Sequence, residues 1–231
     1  MSNLSSIQII LVPQGAEYQA VCRGLNSTNS PKPQILPISI GGKPLAKHLE
    51  KLQQAGHFPK GSLTKVLLMG LCGSLSPQYT VGDVVVYREC INEYNSSQYC
   101  DRELTTLLQE KLKDKASLVI GLTSDRLIYS ASEKQHLGQL YNTEVVDMEG
   151  FNTLDIHFKE GINLAMVRVI SDDSQHNLPN LTSAISRDGS LLPLPLAMGM
   201  IRQPIAATRL VWGSLHGLRV LQKVTTKLFA Q

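Results

Sequence analysis

The chain alternates between short apolar runs and segments with helical spacing of apolar residues. Runs rich in Ile, Leu and Val predict buried strands, and they lie at residues 7–12, 35–40, 65–69, 83–89, 118–123, 144–146 and 163–170. Apolar residues spaced three or four apart predict helices, and they lie at residues 44–55, 101–113, 132–141 and 149–158. Between the third and fourth strands, the glycine-containing stretch 70–74 is expected to form a loop.

The order of these elements predicts an α/β fold with helices on both faces of one sheet. In such sheets, ligands bind at the carboxyl ends of the strands. The segments 70–74, 125–129, 147–149 and 172–173 all follow predicted strands. A single shared site at that edge of the sheet is therefore expected.

The last part of the chain differs from the rest. Residues 178–196 hold three prolines and predict a loop, and residues 196–228 predict a helical tail that breaks near Pro204. After Asp188 the sequence has no acid and five basic residues, so the remainder of the chain is slightly acidic. This division predicts an α/β domain at 1–190 with a basic helical extension at 191–231, and the main body has no basic excess that would indicate nucleic-acid binding.

Cysteine and apolar content narrow the class of protein further. Cys22, Cys72, Cys90 and Cys100 form no CxxC pair, and no histidine cluster has metal-ligand spacing, so free thiols and no metal site are expected. The polar start of the chain and the lack of an apolar run of about 18 residues predict neither a leader nor a membrane span. These features favour a reducing, cytoplasmic setting.

Two segments carry the candidate chemistry, 145–150 (VVDMEG) and 167–173 (VRVISDD), and each runs from apolar residues into acids. A buried strand that ends in a carboxylate delivers that group to the rim of a site. Because carboxylates are costly to bury unpaired, Asp147, Glu149 and Asp172 suggest a sugar or a base to hold. The alternative interpretation is that Asp147 and Asp172 cap the helices that follow them.

The ordered set of motifs resembles the purine/uridine phosphorylase superfamily, which includes nucleoside phosphorylases and methylthioadenosine/S-adenosylhomocysteine nucleosidases. The matching segments span roughly residues 7 to 175, and they are 70–74 (GLCGS), 82–83 (GD), 147–150 (DMEG) and 167–172 (VRVISD). The resemblance implies a three-layer α/β/α fold with a central mixed, partly barrel-like sheet. It also implies cleavage of an N-glycosidic bond of a purine, adenine-type nucleoside.

The resemblance implies roles for particular residues. Asp172 would protonate the leaving base as a general acid, with Asp173 as the alternative. Glu149 would bind the ribose hydroxyls, and Met148 would pack on the sugar. Glu17 would activate the attacking water as it does in the nucleosidases, although a glutamate at a helix start is also common.

Further positions would contact the substrate. Leu127 and Ile128 align with the segment that flanks the base. One of the two would pack against the base, and the other would contact it through its backbone groups. The turn residues that would line the site are Leu71, Cys72 and Gly73. Cys72 is interpreted as a small residue rather than a nucleophile, because no base is evident to activate it.

Departures from the family pattern bear on the nucleophile and the substrate. The Gly-x-Pro-x-Arg turn of the phosphorylases is missing, and Leu68 stands where they carry an arginine. Phosphate binding needs fixed hydrogen-bond donors, so hydrolysis is favoured over phosphorolysis. No cofactor is expected. If the reaction is phosphorolysis instead, phosphate is the co-substrate. Leu71 and Leu127 depart from nucleosidases that act on methylthioadenosine. The departures at Leu68 and Leu71 also motivate the alternative of an inactive nucleoside-binding or storage protein of the same fold.

The partners expected are a small-molecule nucleoside and further copies of the chain, since the family forms homo-oligomers. The stretch 187–189 (RDG), the proline-rich linker and the basic end resemble the hopanoid-associated phosphorylase branch, which is thought to remove adenine from an adenosyl-linked lipid. A weak membrane-surface contact through the tail is one interpretation. Packing of the tail on the domain or on a neighbouring subunit is the other.

Overall fold

The computed structural model of the chain describes residues 4–28, 32–58, 64–159, 161–181, 184 and 192–230. Its strands are β1 Ile9–Pro13, β2 Gln34–Ile38, β3 Lys65–Ser74, β4 Val84–Asn92, β5 Ser97–Tyr99, β6 Ala116–Thr123, β7 Val145–Asp147 and β8 Asn163–Asp172. Its α-helices are α1 Ala16–Asn26, α2 Gly42–Gln54, α3 Arg102–Leu112, α4 Ala131–Tyr141, α5 Gly150–Lys159, α6 Pro193–Arg202 and α7 Pro204–Phe229.

Five strands close into a ring in the order β3–β7–β6–β4–β8 and back to β3. Strands β1 and β2 extend the sheet from β3, and β5 extends it from β4. The ring mixes parallel pairs, such as β3 with β8, and antiparallel pairs, such as β4 with β8. The predicted mixed, partly barrel-like sheet is confirmed.

Successive residues of the strands point to two separate apolar cores. Leu68 and Met166 pack with α2 and α5 in one core, whereas Leu67, Met69 and Val167 pack with α1, α3 and α7 in the other. This alternation follows from the two-residue period of a strand. The sheet therefore lies between two helical layers, which confirms the three-layer arrangement.

The stretch Gly70–Ser74, which was expected to be a loop, belongs to β3. That prediction is wrong because glycine can serve a strand where a neighbouring side chain needs space. A Cβ at Gly70 would lie 2.3 Å from Arg168 Nη1 and 2.5 Å from Glu17 Oε2. β3 pairs with β8 throughout, with a register shift between Cys72 and Gly73. Helix α1 and the short β5 were not predicted.

The tail breaks at Pro204 as predicted, between α6 and α7. The C-terminal half of α7 buries Leu221, Val224, Leu228 and Phe229 in the core that it shares with α1 and α3. α6 begins within the predicted loop, about half of which lies outside the described residues. Among the described helices, none is both long and apolar enough to cross a membrane.

Candidate functional site

Three acidic side chains surround one arginine in the middle of β8. Arg168, in β8, is completely buried, and its Nη2 lies 3.1 Å from Asp147 Oδ2 and 3.3 Å from Glu149 Oε2. Glu17 enters from the first turn of α1, where Gly15 turns the chain with a φ of +99°. Glu17 Oε2 accepts a hydrogen bond from the Leu71 N–H at 3.0 Å. These residues are far apart in the sequence, and the sheet brings them together.

Asp147 is tied to the protein on both sides. Its Oδ1 accepts hydrogen bonds from Thr123 Oγ1 at 2.8 Å and from the Gly150 N–H at 3.0 Å. The second bond satisfies a backbone donor at the start of α5, as the capping interpretation of Asp147 required. Its Oδ2 faces Arg168, so Asp147 connects a helix start to the buried cation.

Burial changes the protonation of two of these acids. Loss of solvent raises the pKa of Glu17 to about 7, although Arg168 and the Leu71 N–H act in the opposite direction. Burial likewise raises the pKa of Glu149 to about 7, against the attraction of Arg168. Both carboxyl groups can therefore gain or lose a proton near neutral pH, as groups that work as acids or bases must.

Asp172 stands at the end of β8, opposite Gly73 of β3. A Cβ at residue 73 would lie 2.8 Å from Asp172 Oδ1, so only glycine leaves room for this carboxylate. Asp172 Oδ2 accepts a hydrogen bond from Ser171 Oγ at 3.0 Å, and Oδ1 is paired with Lys134 Nζ. No α-helix begins directly after Asp172, since the described segment that follows is irregular. The helix-cap alternative for Asp172 is therefore wrong.

Asp173 has a different environment. Its side chain is paired with His176 at 3.0 Å, and it also accepts hydrogen bonds from the backbone N–H groups of Gln175 and His176. Partial burial opposes ionisation, but these hydrogen bonds prevail and lower the pKa of Asp173. Asp173 is thus held as an ionised turn residue.

The other predicted site residues surround these acids. Met148 is half-buried and lies near Gly41, whose backbone N–H bonds to Glu149. Leu71 faces α7 at Gly217, and Cys72 is buried in the core, where burial raises the pKa of its thiol. Their substrate contacts stay predictions.

Leu127 is half-buried, whereas Ile128 is buried with Leu75, Leu137 and Val146. The Ile128 side chain is therefore occupied with packing. This placement leaves its backbone groups as the part that could meet a base.

Two residues of the site were not predicted from the sequence, Arg168 and Lys134. Arg168 was part of a motif but had no role, and Lys134 lies in a helix where lysine usually faces solvent. For Arg168, the sequence does carry a signal, because an arginine within a buried apolar strand requires a charged partner. For Lys134, the neighbouring sequence gives no indication of burial.

A cavity of about 150 Å³ opens beside Asp172. Its walls include Val81 and Leu178, together with Arg209 and Trp212 from α7. A larger cavity of about 610 Å³ lies near α4, but none of the predicted site residues lines it. Of the predicted site residues, Asp172 lines the smaller cavity.

The chain matches the model of the Phosphorylase superfamily over residues 32–187. No curated protein sequence matches it significantly.

Solved structures share the fold at low sequence identity. A 5'-methylthioadenosine/S-adenosyl homocysteine nucleosidase from Helicobacter pylori, crystallised in complex with a substituted pyrrolidinol, has a TM-score of 0.69 at 14% identity, covering 95% of this chain and 96% of that one. Futalosine hydrolase of H. pylori also has a TM-score of 0.69 at 14% identity, covering 95% of each chain. A putative 5'-methylthioadenosine/S-adenosylhomocysteine nucleosidase from Francisella philomiragia has a TM-score of 0.67 at 14% identity, covering 95% and 96%.

At such identities the structural matches establish the fold alone. The family model spans well over half of the chain, and it agrees with the motifs at 70–74, 147–150 and 167–172. The family expected from those motifs is confirmed. This chain belongs to the phosphorylase superfamily.

Proposed function

We propose that the protein cleaves the N-glycosidic bond of a purine, adenine-type nucleoside with water as the nucleophile. The observation that carries the proposal is the placement of Glu149 and Glu17 beside Arg168 of β8, with Asp172 at the end of the same strand. They come from three different elements, and each is held by specific hydrogen bonds or ion pairs. Solved structures that share this fold are named nucleosidase and hydrolase, and those names are consistent with this reaction.

Asp172 is the proposed general acid. Protonation of a ring nitrogen makes the base a better leaving group, and a positioned carboxyl can deliver that proton. Asp172 lies beside the cavity, and its carboxyl group is 12% exposed, so a ligand can reach it. Ser171 and Lys134 fix its orientation from either side.

Glu149 and Met148 are the proposed sugar contacts. A carboxylate accepts hydrogen bonds from ribose hydroxyls, and its charge stabilises the oxocarbenium-like transition state. Glu149 is 5% exposed and adjoins the half-buried Met148, whose thioether offers an apolar surface to the sugar.

The charges of the site favour water over phosphate. Arg168 is already paired with Asp147 and Glu149, Lys134 is paired with Asp172, and Leu68 is buried. A phosphate would also meet the field of several carboxylates. By contrast, the Glu17 pKa of about 7 suits a base that takes a proton from water.

The test is release of free base from adenosine, inosine, methylthioadenosine and a 5'-alkyl adenosine, each with and without phosphate. We expect release in both conditions, at equal rates. Release that requires phosphate would contradict the choice of water and leave bond cleavage standing. If these nucleosides bind but none of the four releases its base, the result would instead support the second candidate, a nucleoside-binding protein. The ion pair between Asp172 and Lys134 favours that candidate.

We also propose that α6 and the start of α7 contact an anionic membrane surface. Four apolar side chains there are 61–78% exposed, and they are Leu194, Ile201, Ile205 and Trp212. Arg202 and Arg209 lie among them, and no acid follows Asp188. Helices that present apolar and cationic groups together bind the interface of anionic bilayers.

Point substitutions test this contact better than truncation, because α7 contributes Leu221 and Leu228 to the core. The variant Ile201→Asp/Ile205→Asp should lose co-sedimentation with phosphatidylserine vesicles, whereas Leu140→Asp, at an exposed position of α4, should keep it. Equal binding to neutral vesicles would argue against a contribution of Arg202 and Arg209 to membrane binding. Failure of the unaltered protein to sediment with either vesicle would end the proposal.

A further inference from the structure

A lysine is completely buried beside the proposed general acid. Lys134 lies in the first turn of α4, on the inward face that it shares with Leu137. Its neighbour Glu133 faces outward and is paired with Arg126. Because a lysine is rarely buried without a strong reason, this position calls for a chemical explanation.

The ammonium group of Lys134 holds the end of β8 directly. Nζ is paired with Asp172 Oδ1, and it donates a hydrogen bond to the Asp173 carbonyl oxygen at 2.8 Å. Asp172 Oδ2 accepts its own hydrogen bond from Ser171 Oγ at 3.0 Å. Both oxygens of the carboxylate are therefore engaged by donors.

Asp172 is therefore the acceptor in both contacts. An ionised carboxylate has no proton to give, although the proposed reaction requires one at the leaving base. The nearest proton is on Lys134. The acid of this site is thus better described as two residues that share one transferable proton.

We propose that Lys134 is the positioning residue that supplies the proton which Asp172 delivers to the leaving base. This inference rests on the proposed function. Lys134 Nζ passes a proton to Asp172 and becomes a neutral amine. As the glycosidic bond breaks, the base leaves with the bonding electron pair and takes that proton from Asp172, which returns to a carboxylate. Water forms the new bond to the sugar carbon and gives one proton to Glu17. Glu17 then releases that proton to solvent, and Lys134 takes one up.

Other charged groups lie near the Lys134–Asp172 pair. They are the same residues in every variant that is compared. Arg209 of α7 lines the same cavity as Asp172, and the Asp173–His176 pair adjoins it. Cys72 lies close enough to Asp172 to feel its charge, but its thiol is buried and neutral.

Two substitutions separate proton supply from simple ion pairing. In Lys134→Met, the carboxyl alone must carry the proton, so the alkaline limb of kcat should move to lower pH by at least about one unit. In Lys134→Arg, the positive charge stays but a guanidinium does not release its proton, so kcat should fall about 100-fold at every pH. Lys51→Met, at an exposed position of α2, is the matched control and should behave as the unaltered protein.

A purely structural role predicts a different result. Lys134→Met would then lose activity without any displacement of the alkaline limb, or Lys134→Arg would retain full activity, and either outcome overturns the inference. Carboxyl 13C NMR of Asp172 tests the pair without turnover. Its titration step should occur at higher pH in Lys134→Met than in the unaltered protein. If no substrate releases base but the Asp172 titration still differs between the two proteins, the proposed function fails and the coupling of Lys134 to Asp172 stands. An identical Asp172 titration in both proteins refutes that coupling.

Discussion

Arg168 Nη2 and Asp147 Oδ2 lie 3.1 Å apart, and both side chains are withdrawn completely from solvent. The same guanidinium serves Glu149, and Glu17 lies beside it. Within the described residues, Arg168 Nε and Nη1 have no hydrogen-bond partner. One cation therefore compensates several buried acids and keeps donors that a ligand hydroxyl or water could engage.

Arg168→Met should destabilise the fold strongly. Removal of one partner of a buried ion pair leaves the other charge uncompensated, at a cost of about 3–5 kcal/mol. Urea unfolding at pH 7 measures this change. Lys65→Met is the control, because it removes the partly exposed pair with Glu103 and should cost about 1 kcal/mol or less. Similar losses in the two variants would contradict the compensating role of Arg168.

The candidate acids were predictable because Glu149 and Asp172 each follow an apolar run. Their relative placement was not, because β7 runs antiparallel to β3 and β8, so the carboxyl ends of β7 and β8 point in opposite directions. Glu149 reaches Arg168 within β8, whereas Asp172 stands at the end of that strand. The fold class followed from the alternation of strands and helices.

The charged partners were not predictable, because they depend on tertiary contacts. Lys134 has the spacing of an ordinary helix surface, and only the packing of α4 against the end of β8 buries it. Gly70 resembles a turn signal, yet it remains in β3 because Arg168 and Glu17 fill the space of a side chain. In both cases the deciding atom belongs to a residue distant in the sequence.

Asp172→Asn should reduce kcat for base release by a factor of about 100 or more, because an amide cannot transfer the proton. Asp173→Asn is the matched control, since Asp173 is paired with His176 in the turn. We expect it to alter kcat by less than about tenfold. The reverse ranking of the two variants would assign the acid to Asp173.

Glu149→Gln should weaken recognition of the ribose hydroxyls. A hydrogen bond to a charged group contributes about 1.5–3 kcal/mol, so kcat/KM for the ribonucleoside should fall about 10- to 100-fold. The 2'-deoxy analogue lacks one of these hydroxyls, so it should lose less. Steady-state kinetics with both substrates measures the ratio, and equal losses would remove the sugar contact from Glu149.

Glu17→Gln should abolish the acid limb of the pH–rate profile. The proposed base must be ionised to accept a proton from water, so kcat should rise through pH of about 7, the pKa of the buried Glu17 carboxyl. The variant has no group to titrate at this position and should lose about 100-fold or more in kcat. An acid limb that persists in Glu17→Gln would point to another base.

The same substitution should change the pH dependence of stability. Burial raises the Glu17 pKa from 4.5 to about 7, so the folded state retains a proton that the unfolded state has lost between these values. Stability from this group therefore falls as pH rises from about 4.5 to 7. Glu17→Gln removes that loss, so its Tm relative to the unaltered protein should be higher at pH 8 than at pH 5.

Thermal unfolding of Glu17→Gln and of the control Glu103→Gln, followed by circular dichroism at both pH values, measures this difference. The Glu103 carboxyl is 65% exposed, so solvent surrounds it in the folded as in the unfolded state. Its substitution should therefore shift Tm equally at the two pH values. A Glu17→Gln shift that is also equal at both would show that the Glu17 carboxyl titrates normally, and the argument for it as the base near neutral pH would fail.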